Sequence, residues 1–321
     1  KNTLYLIEGI RILHKIMPRA KVYFALNSQC KKIIEEVNKL TVKFDWLEFC
    51  ILEPKYPQGY DEMLVPTILK QKFPYGYSAA NIGTVILNLQ AVLQVYEAAV
   101  LGKPLIERTV ALCGPAFKEP VHIKVRIGTC LKDVIGTRVK EAVPARFVRN
   151  GLLTGAELKD LTLPIDKTYS QIIAIPENRS RQFLAFLRPG FKSDSYSRTF
   201  LAKFLPGPKK SCETNKHGEE RPCISCNYCE EACPVSIIPH LLSKYVQRNI
   251  IDETLMNLLI FNCIECGLCS YVCPSKIPLA KYIKEGQEKL SIQGCDRNQC
   301  ILPYFDNLRG IEEYRGAKEV Y

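Results

Sequence analysis

The stretch CISCNYCEEACP, residues 223–234, sets four cysteines at the spacing CxxCxxCxxxCP, and the chain repeats it as CIECGLCSYVCP at residues 263–274. Few patterns narrow the choice of fold so far. Three cysteines at CxxCxxC can wrap one face of a 4Fe-4S cubane from a single turn-rich loop, and the fourth thiolate of the tetrahedral set must come from elsewhere. In two-cluster proteins of this spacing the Cys of the Cys-Pro pair ligates the other cluster. Applied here, Cys223, Cys226, Cys229 and Cys273 would hold one cluster, and Cys263, Cys266, Cys269 and Cys233 the second. Pro234 and Pro274 end the loops, while the small Ser225 and Gly267 leave backbone amides free to approach cluster sulfurs and so tune their potential. A pair of zinc sites is the competing reading. It fits less well, because structural zinc usually takes two CxxC or CxxH pairs a dozen or more residues apart.

Compartment and charge constrain the partners. Fifteen cysteines in 321 residues would suggest disulfides in a short secreted chain, but here the two tight clusters favour thiolate ligands in a reducing cytosol. The formal charge of +11 falls to about +7 once two clusters with their thiolates are counted. The excess is concentrated between Arg179 and Lys210, where Arg188, Lys192, Arg198, Lys203, Lys209 and Lys210 interleave with aromatics. A solvated or partner-facing arm is the expected reading, ahead of an anionic lipid surface or nucleic acid. No apolar run approaches the roughly 18 residues of a membrane-spanning helix. The chain begins at Lys1 in an amphipathic pattern rather than a signal peptide, so an upstream segment is expected.

Along the chain, LIEGIRILHKI and CKKIIEEVNKL have helical spacing and KVYFAL and FDWLEFCIL read as strands, which argues a parallel α/β layer. YPQGYDEMLVPTILKQKFP offers a loop leading into a helix, and NLQAVLQVYEAAVLGKP a helix closed by Gly102 and Pro104. From Thr109 the period shifts to two, around a short helix opened by Thr129, and ends with SQIIAIP. After the linker LPGPKKSCETNKHGEERP, helical patterns follow each cysteine motif, with Asp252 placed as an N-cap. The repeats also share Ile224 with Ile264 and an Ile-Pro pair, 238/239 with 277/278, as in an internal duplication. No catalytic constellation is visible. His14 and His122 read as surface or satisfied groups, His240 as part of the helix after the first motif rather than one of its ligands, and Cys30, Cys50, Cys113, Cys130, Cys212, Cys295 and Cys300 as buried thiols, with CDRNQC a candidate redox pair.

The segment from YPQGYDEMLVP through NIGTVILNLQAVLQVYEAAVLGKPLIERTVALCGPAFKEPVHIKVRIGT, followed by the doubled cysteine motif, resembles the C subunit of the Rnf ion-translocating oxidoreductase. FLAFLRPGF, SRTFLAKFLPG and TNKHGEERP are similar to the A subunit of the sodium-translocating NADH:quinone reductase. The resemblance implies an α/β plus α+β chain with a complex I flavin-subunit-like domain at 1–114, truncated at its N-terminus, and a β-grasp soluble-ligand-binding module at 115–178. A basic arm and linker at 179–221, a helical two-cluster ferredoxin domain at 222–290 and a C-terminal tail at 291–321 would follow. It implies an electron-transfer subunit, cytoplasmic and peripheral on the inner face of the cell membrane. Its partners would be other subunits of a membrane complex, through which it meets the membrane, and a donor such as NADH or ferredoxin, with no nucleic acid. The family's glycine-rich flavin loop is not in this stretch, so FMN and NADH are expected only with an N-terminal part beyond it. A helical two-cluster subunit of a soluble dehydrogenase or disulfide reductase is the alternative.

Overall fold

A computed structural model of the protein describes residues 2–41, 44–70, 78–140, 144–177 and 220–295. The basic arm, with Arg188, Lys192, Arg198, Lys203, Lys209 and Lys210, and the cysteines at 212 and 300 lie outside the described residues. The chain divides into two compact units, whose edge falls between Leu105 and Ile106.

In the first unit the sequence alternates as its periodicity requires: α1 (Asn2–Ile16), β1 (Val22–Asn27), α2 (Lys31–Thr41) and β2 (Leu47–Leu52). The two strands pair in parallel, Val22 opposite Leu47 through Asn27 opposite Leu52. Leu6, Ile10, Phe24, Leu26, Val37 and Leu47 form their common core, closed by Val92 of α4 (Leu89–Leu101). Between them α3 (Asp61–Leu69) follows the Pro/Gly loop. Helix α4 starts where the Asn88 side chain accepts the Ala91 N–H, and it ends on Gly102 at φ 61°, a left-handed cap.

The second unit opens with a five-stranded mixed sheet of β3 (Glu107–Cys113), β4 (Val121–Arg126), β5 (Ala145–Arg149), β6 (Ala156–Glu157) and β7 (Gln171–Pro176). Their spatial order is β4-β3-β7-β5-β6, with β3 and β7 parallel at the centre and the other pairs antiparallel. Because β3 pairs with both β4 and β7, it belongs to this sheet. Helix α5 (Leu131–Ile135) buries Leu131, Val134 and Ile135 against Val110, Leu112 and Ile172 of the sheet. Its N-cap is Cys130, one residue past the expected Thr129, and carries no side-chain cap bond.

From residue 220 the described residues carry helices: α6 (Tyr228–Glu231), α7 (Pro239–Gln247), α8 (Glu253–Asn257), α9 (Leu268–Val272) and α10 (Leu279–Ile292). Asp252 caps α8 by accepting the Thr254 N–H, as expected. Leu242, Val246, Leu255, Ile260, Ile283 and Leu290 are buried. Among the described residues no helix is long and apolar enough to cross a membrane.

Candidate metal centre

Each cysteine motif folds as a loop, a short helix and an exit. The backbone turns back on itself through left-handed residues at matching places: Ser225 (φ 54°), Asn227 (φ 61°) and Ser236 (φ 54°) in the first motif, and Glu265 (φ 54°), Gly267 (φ 79°) and Lys276 (φ 60°) in the second. These reversals aim amides inward. Ser225 N–H donates to Cys223 Sγ at 3.4 Å, and Glu265 N–H donates to Cys263 Sγ at 3.4 Å. Cys229 in α6 and Cys269 in α9 are both buried. Cys233 and Cys273 follow just after those helices end, where the chain leaves its own loop.

Two cavities result, each of about 310 Å³ counting space open to solvent. One is lined by Cys223, Cys226, Cys229 and Cys273, the other by Cys233, Cys263, Cys266 and Cys269. The electrostatics divide the thiols the same way: Cys229 interacts with Cys273 and Cys226, whereas Cys263 and Cys269 interact with Cys233. Burial pushes Cys229 up to about 11 and Cys263 up to about 12, and it pushes Cys269 higher still. Cys233 and Cys266 move up for the same reason. Thiols placed so are neutral at pH 7 unless a cationic metal centre stabilises the thiolates, which is what ligation does.

The donor set fits a cluster better than a bare ion. Among the described residues no three His, Cys, Asp or Glu side chains are gathered closely enough to hold a single metal ion. Four thiols around a larger cavity match the tetrahedral thiolate demand of a 4Fe-4S core.

The duplication is closer than the Ile-Pro pairs alone suggest. Ile237 and Ile277 each line a cavity, and the carbonyls that open α7 and α10 belong to Ile238 and Pro278. The Ile-Pro pairs at 238/239 and 277/278 are thus one residue out of step, and positions forty apart correspond throughout the site. In that register His240 matches Ala280, and both line their cavities. His240 sits in α7, as expected, but its Nδ1 is 3.7 Å from Cys229 Sγ, so it is part of the site's surroundings, which the sequence reading missed. Burial, reinforced by Lys244, holds its imidazole below the usual histidine range.

The remaining expectations fare unevenly. His14 stacks on Trp46 at 3.9 Å in the first unit, and His122 lies on β4. Cys30, Cys50, Cys113, Cys130 and Cys295 are half-buried rather than buried. Cys50 lies on β2 of the two-stranded sheet, Cys113 at the end of β3, and Cys130 just ahead of α5. Of the CDRNQC pair only Cys295 is described.

The loops and the two four-thiol cavities fit a stretch that carries two 4Fe-4S clusters. Residues 222–277 match the family described as 4Fe-4S dicluster domain, and residues 1–97 match the Nuo51 FMN-binding domain. The chain is 27% identical over 278 residues to the C subunit of the ion-translocating oxidoreductase complex of Buchnera aphidicola subsp. Acyrthosiphon pisum, covering 86% of this chain and 51% of that protein. It is 29% identical over 255 residues to the C subunit of the proton-translocating ferredoxin:NAD(+) oxidoreductase complex of Clostridium ljungdahlii, covering 79% and 48%. The A subunit of the Na(+)-translocating NADH-quinone reductase of Alcanivorax borkumensis is 26% identical over 194 residues, covering 60% and 43%. The resemblance to these two kinds of subunit therefore holds, and the chain spans about half the length of the first two relatives. In fold it is similar to a chain of an NAD+-reducing NiFe hydrogenase in the H2-reduced state, with a TM-score of 0.50 at 12% identity, covering 94% of this chain and 58% of that one.

The flavin is a different case from the clusters. Within residues 1–105 the glycines stand singly at 9, 59, 76, 83 and 102. A phosphate cradle needs several close together so that backbone amides can reach the ligand. The residues present do not compose one.

Proposed function

We propose that this chain is the electron-relay portion of a peripheral subunit of a membrane ion-translocating oxidoreductase. One cluster would be held by Cys223, Cys226, Cys229 and Cys273, and the other by Cys263, Cys266, Cys269 and Cys233. The observation that carries this reading is the three-plus-one membership of each cavity, in which Cys233 and Cys273 each stand with the loop of the other motif. A bound cluster supplies one-electron storage. The protein's own residues supply the thiols, the amides of Ser225 and Glu265, and the apolar walls of Ile237 and Ile277. The subunit role rests on the relatives, whose names place them in ion-translocating or proton-translocating complexes.

The sheet order β4-β3-β7-β5-β6, with parallel central strands and α5 packed on one face, supports a β-grasp reading of the middle module. The first unit reads as a flavin-subunit-like scaffold whose FMN and NADH sites need residues beyond these. Partner subunits, a donor such as NADH or ferredoxin, and a place on the cytoplasmic face of the membrane follow from the same reading. Anaerobic reconstitution with iron and sulfide tests it. About eight irons per chain are expected, with two paramagnetic centres after dithionite. A colourless chain that binds only zinc under those conditions overturns it.

A further inference from the structure

The two cavities are near copies, so the places where they differ carry information. Beside the first, His240 Nδ1 reaches Cys229 Sγ at 3.7 Å; beside the second, the matching position is Ala280, which has no side-chain donor. Lys244 near the first site approaches the neutral Ser225 hydroxyl at 3.4 Å, whereas its counterpart Lys284 is paired with the Glu265 carboxylate at 3.1 Å. Ile224 on the first loop is 68% exposed, while Ile264 on the second is 8% exposed. The loop of the second site also packs on the turn between β5 and β6, for a Cβ on Gly267 would come 2.9 Å from the Leu153 carbonyl oxygen.

These differences act in one direction. A cluster gains a negative charge when reduced, so a donor to its sulfurs, a cation beside a neutral rather than an anionic partner, and access to water each favour the reduced form. Two differences act the other way: Ser270, the counterpart of Glu230, hydrogen-bonds Cys269 at the second site, and Glu230 sets a carboxylate near the first, where its side chain is exposed and its field is screened. A thiolate bound to iron can only accept, so Nδ1 of His240 must be the protonated nitrogen.

We infer that the two clusters are unequal: the one held by Cys223, Cys226, Cys229 and Cys273 has the higher reduction potential, set in good part by an N–H···S hydrogen bond from His240 to Cys229. Within the pair, an electron entering at the 263–269 loop therefore comes to rest at the 223–229 loop. His240 is a positioning residue that acts through Cys229. This rests on the crossed ligand sets proposed above.

The test is a potentiometric titration of the reconstituted full chain, followed by electron paramagnetic resonance, on the wild type and three variants. The wild type is expected to titrate in two resolved steps. His240→Ala should lower the upper step by about tenfold in its equilibrium constant, ~59 mV for one electron, and leave the lower step in place. His240→Gln, which keeps an N–H, should recover part of that shift, and Ala280→His should raise the lower step instead. Two intact clusters whose steps coincide, or an upper step unmoved by His240→Ala, overturn the inference while leaving the two-cluster reading standing. If His240→Ala loads poorly, an unmoved lower step in Ala280→His overturns it on its own. Iron well below eight in the wild type removes the two-cluster reading and the inference together.

Discussion

Cys233 stands two residues after α6 ends, and in the structure it lines a cavity with Cys263, Cys266 and Cys269 rather than with its own loop. Replacing it with alanine is therefore expected to cost the second cluster first. Iron should fall from about eight to about four per chain, with the remaining signal belonging to the first site; loss confined to the 223–229 loop would contradict the assignment. Cys273→Ala should show the reciprocal pattern. The thiols also set a pH response in the cluster-free protein. Burial raises Cys229 from 9.0 to about 11 and Cys263 to about 12, so the folded state keeps protons that the unfolded chain releases. The stability of the cluster-free chain should be full below pH 9 and be lost as pH rises through 11 and 12. Anaerobic thermal melts across that range check it, and a melting temperature that climbs above pH 9 would reverse the sign. At this scale the cysteines that line the two cavities were legible in the sequence, because their spacing is local. His240 was not, since its approach to Cys229 depends on where the chain re-enters after Pro234. The one available signal was the repeat itself, taken in steps of forty, where a histidine faces an alanine.

Among the elements, two glycines in left-handed conformations separate local from tertiary demands. Gly102 ends α4 at φ 61° with nothing within 4 Å of an added Cβ. Gly102→Ala should cost ~1 kcal/mol of unfolding free energy, the penalty of the left-handed conformation alone. Gly267 has φ 79° and also faces the Leu153 carbonyl oxygen at 2.9 Å. Gly267→Ala should cost about 2–3 kcal/mol and loosen the packing between the β5–β6 turn and the second loop. Denaturant unfolding of both variants checks the ranking, and equal costs would show that the contact with Leu153 does not hold. The helices and strands themselves were largely readable, since α1, α2, α4 and their partner strands follow periods that need no outside contact. The membership of β3 was not. Its pairing with β7 joins segments about sixty residues apart, and nothing within Glu107–Cys113 names that neighbour.

For the whole molecule, all eight motif cysteines fall in the unit from Ile106 to Leu290 and none in residues 1–105. Metal binding stabilises only what it binds. Removing iron with a chelator should therefore speed amide hydrogen exchange between residues 220 and 290 and leave α1, β1, α2 and β2 unchanged; uniform loss of protection would show that the two units unfold together. The kind and number of thiols offered by each loop and its local turns are written in the amino-acid order alone, because a spacing of two or three residues between cysteines acts within one stretch of backbone. How differently the two sites are surrounded is settled by folding in three dimensions. Burial of Ile264 against exposure of Ile224, the seat of Gly267 on Leu153, and the histidine present at one site and replaced by alanine at the other are contacts between distant segments, and short-range pattern carries no record of them.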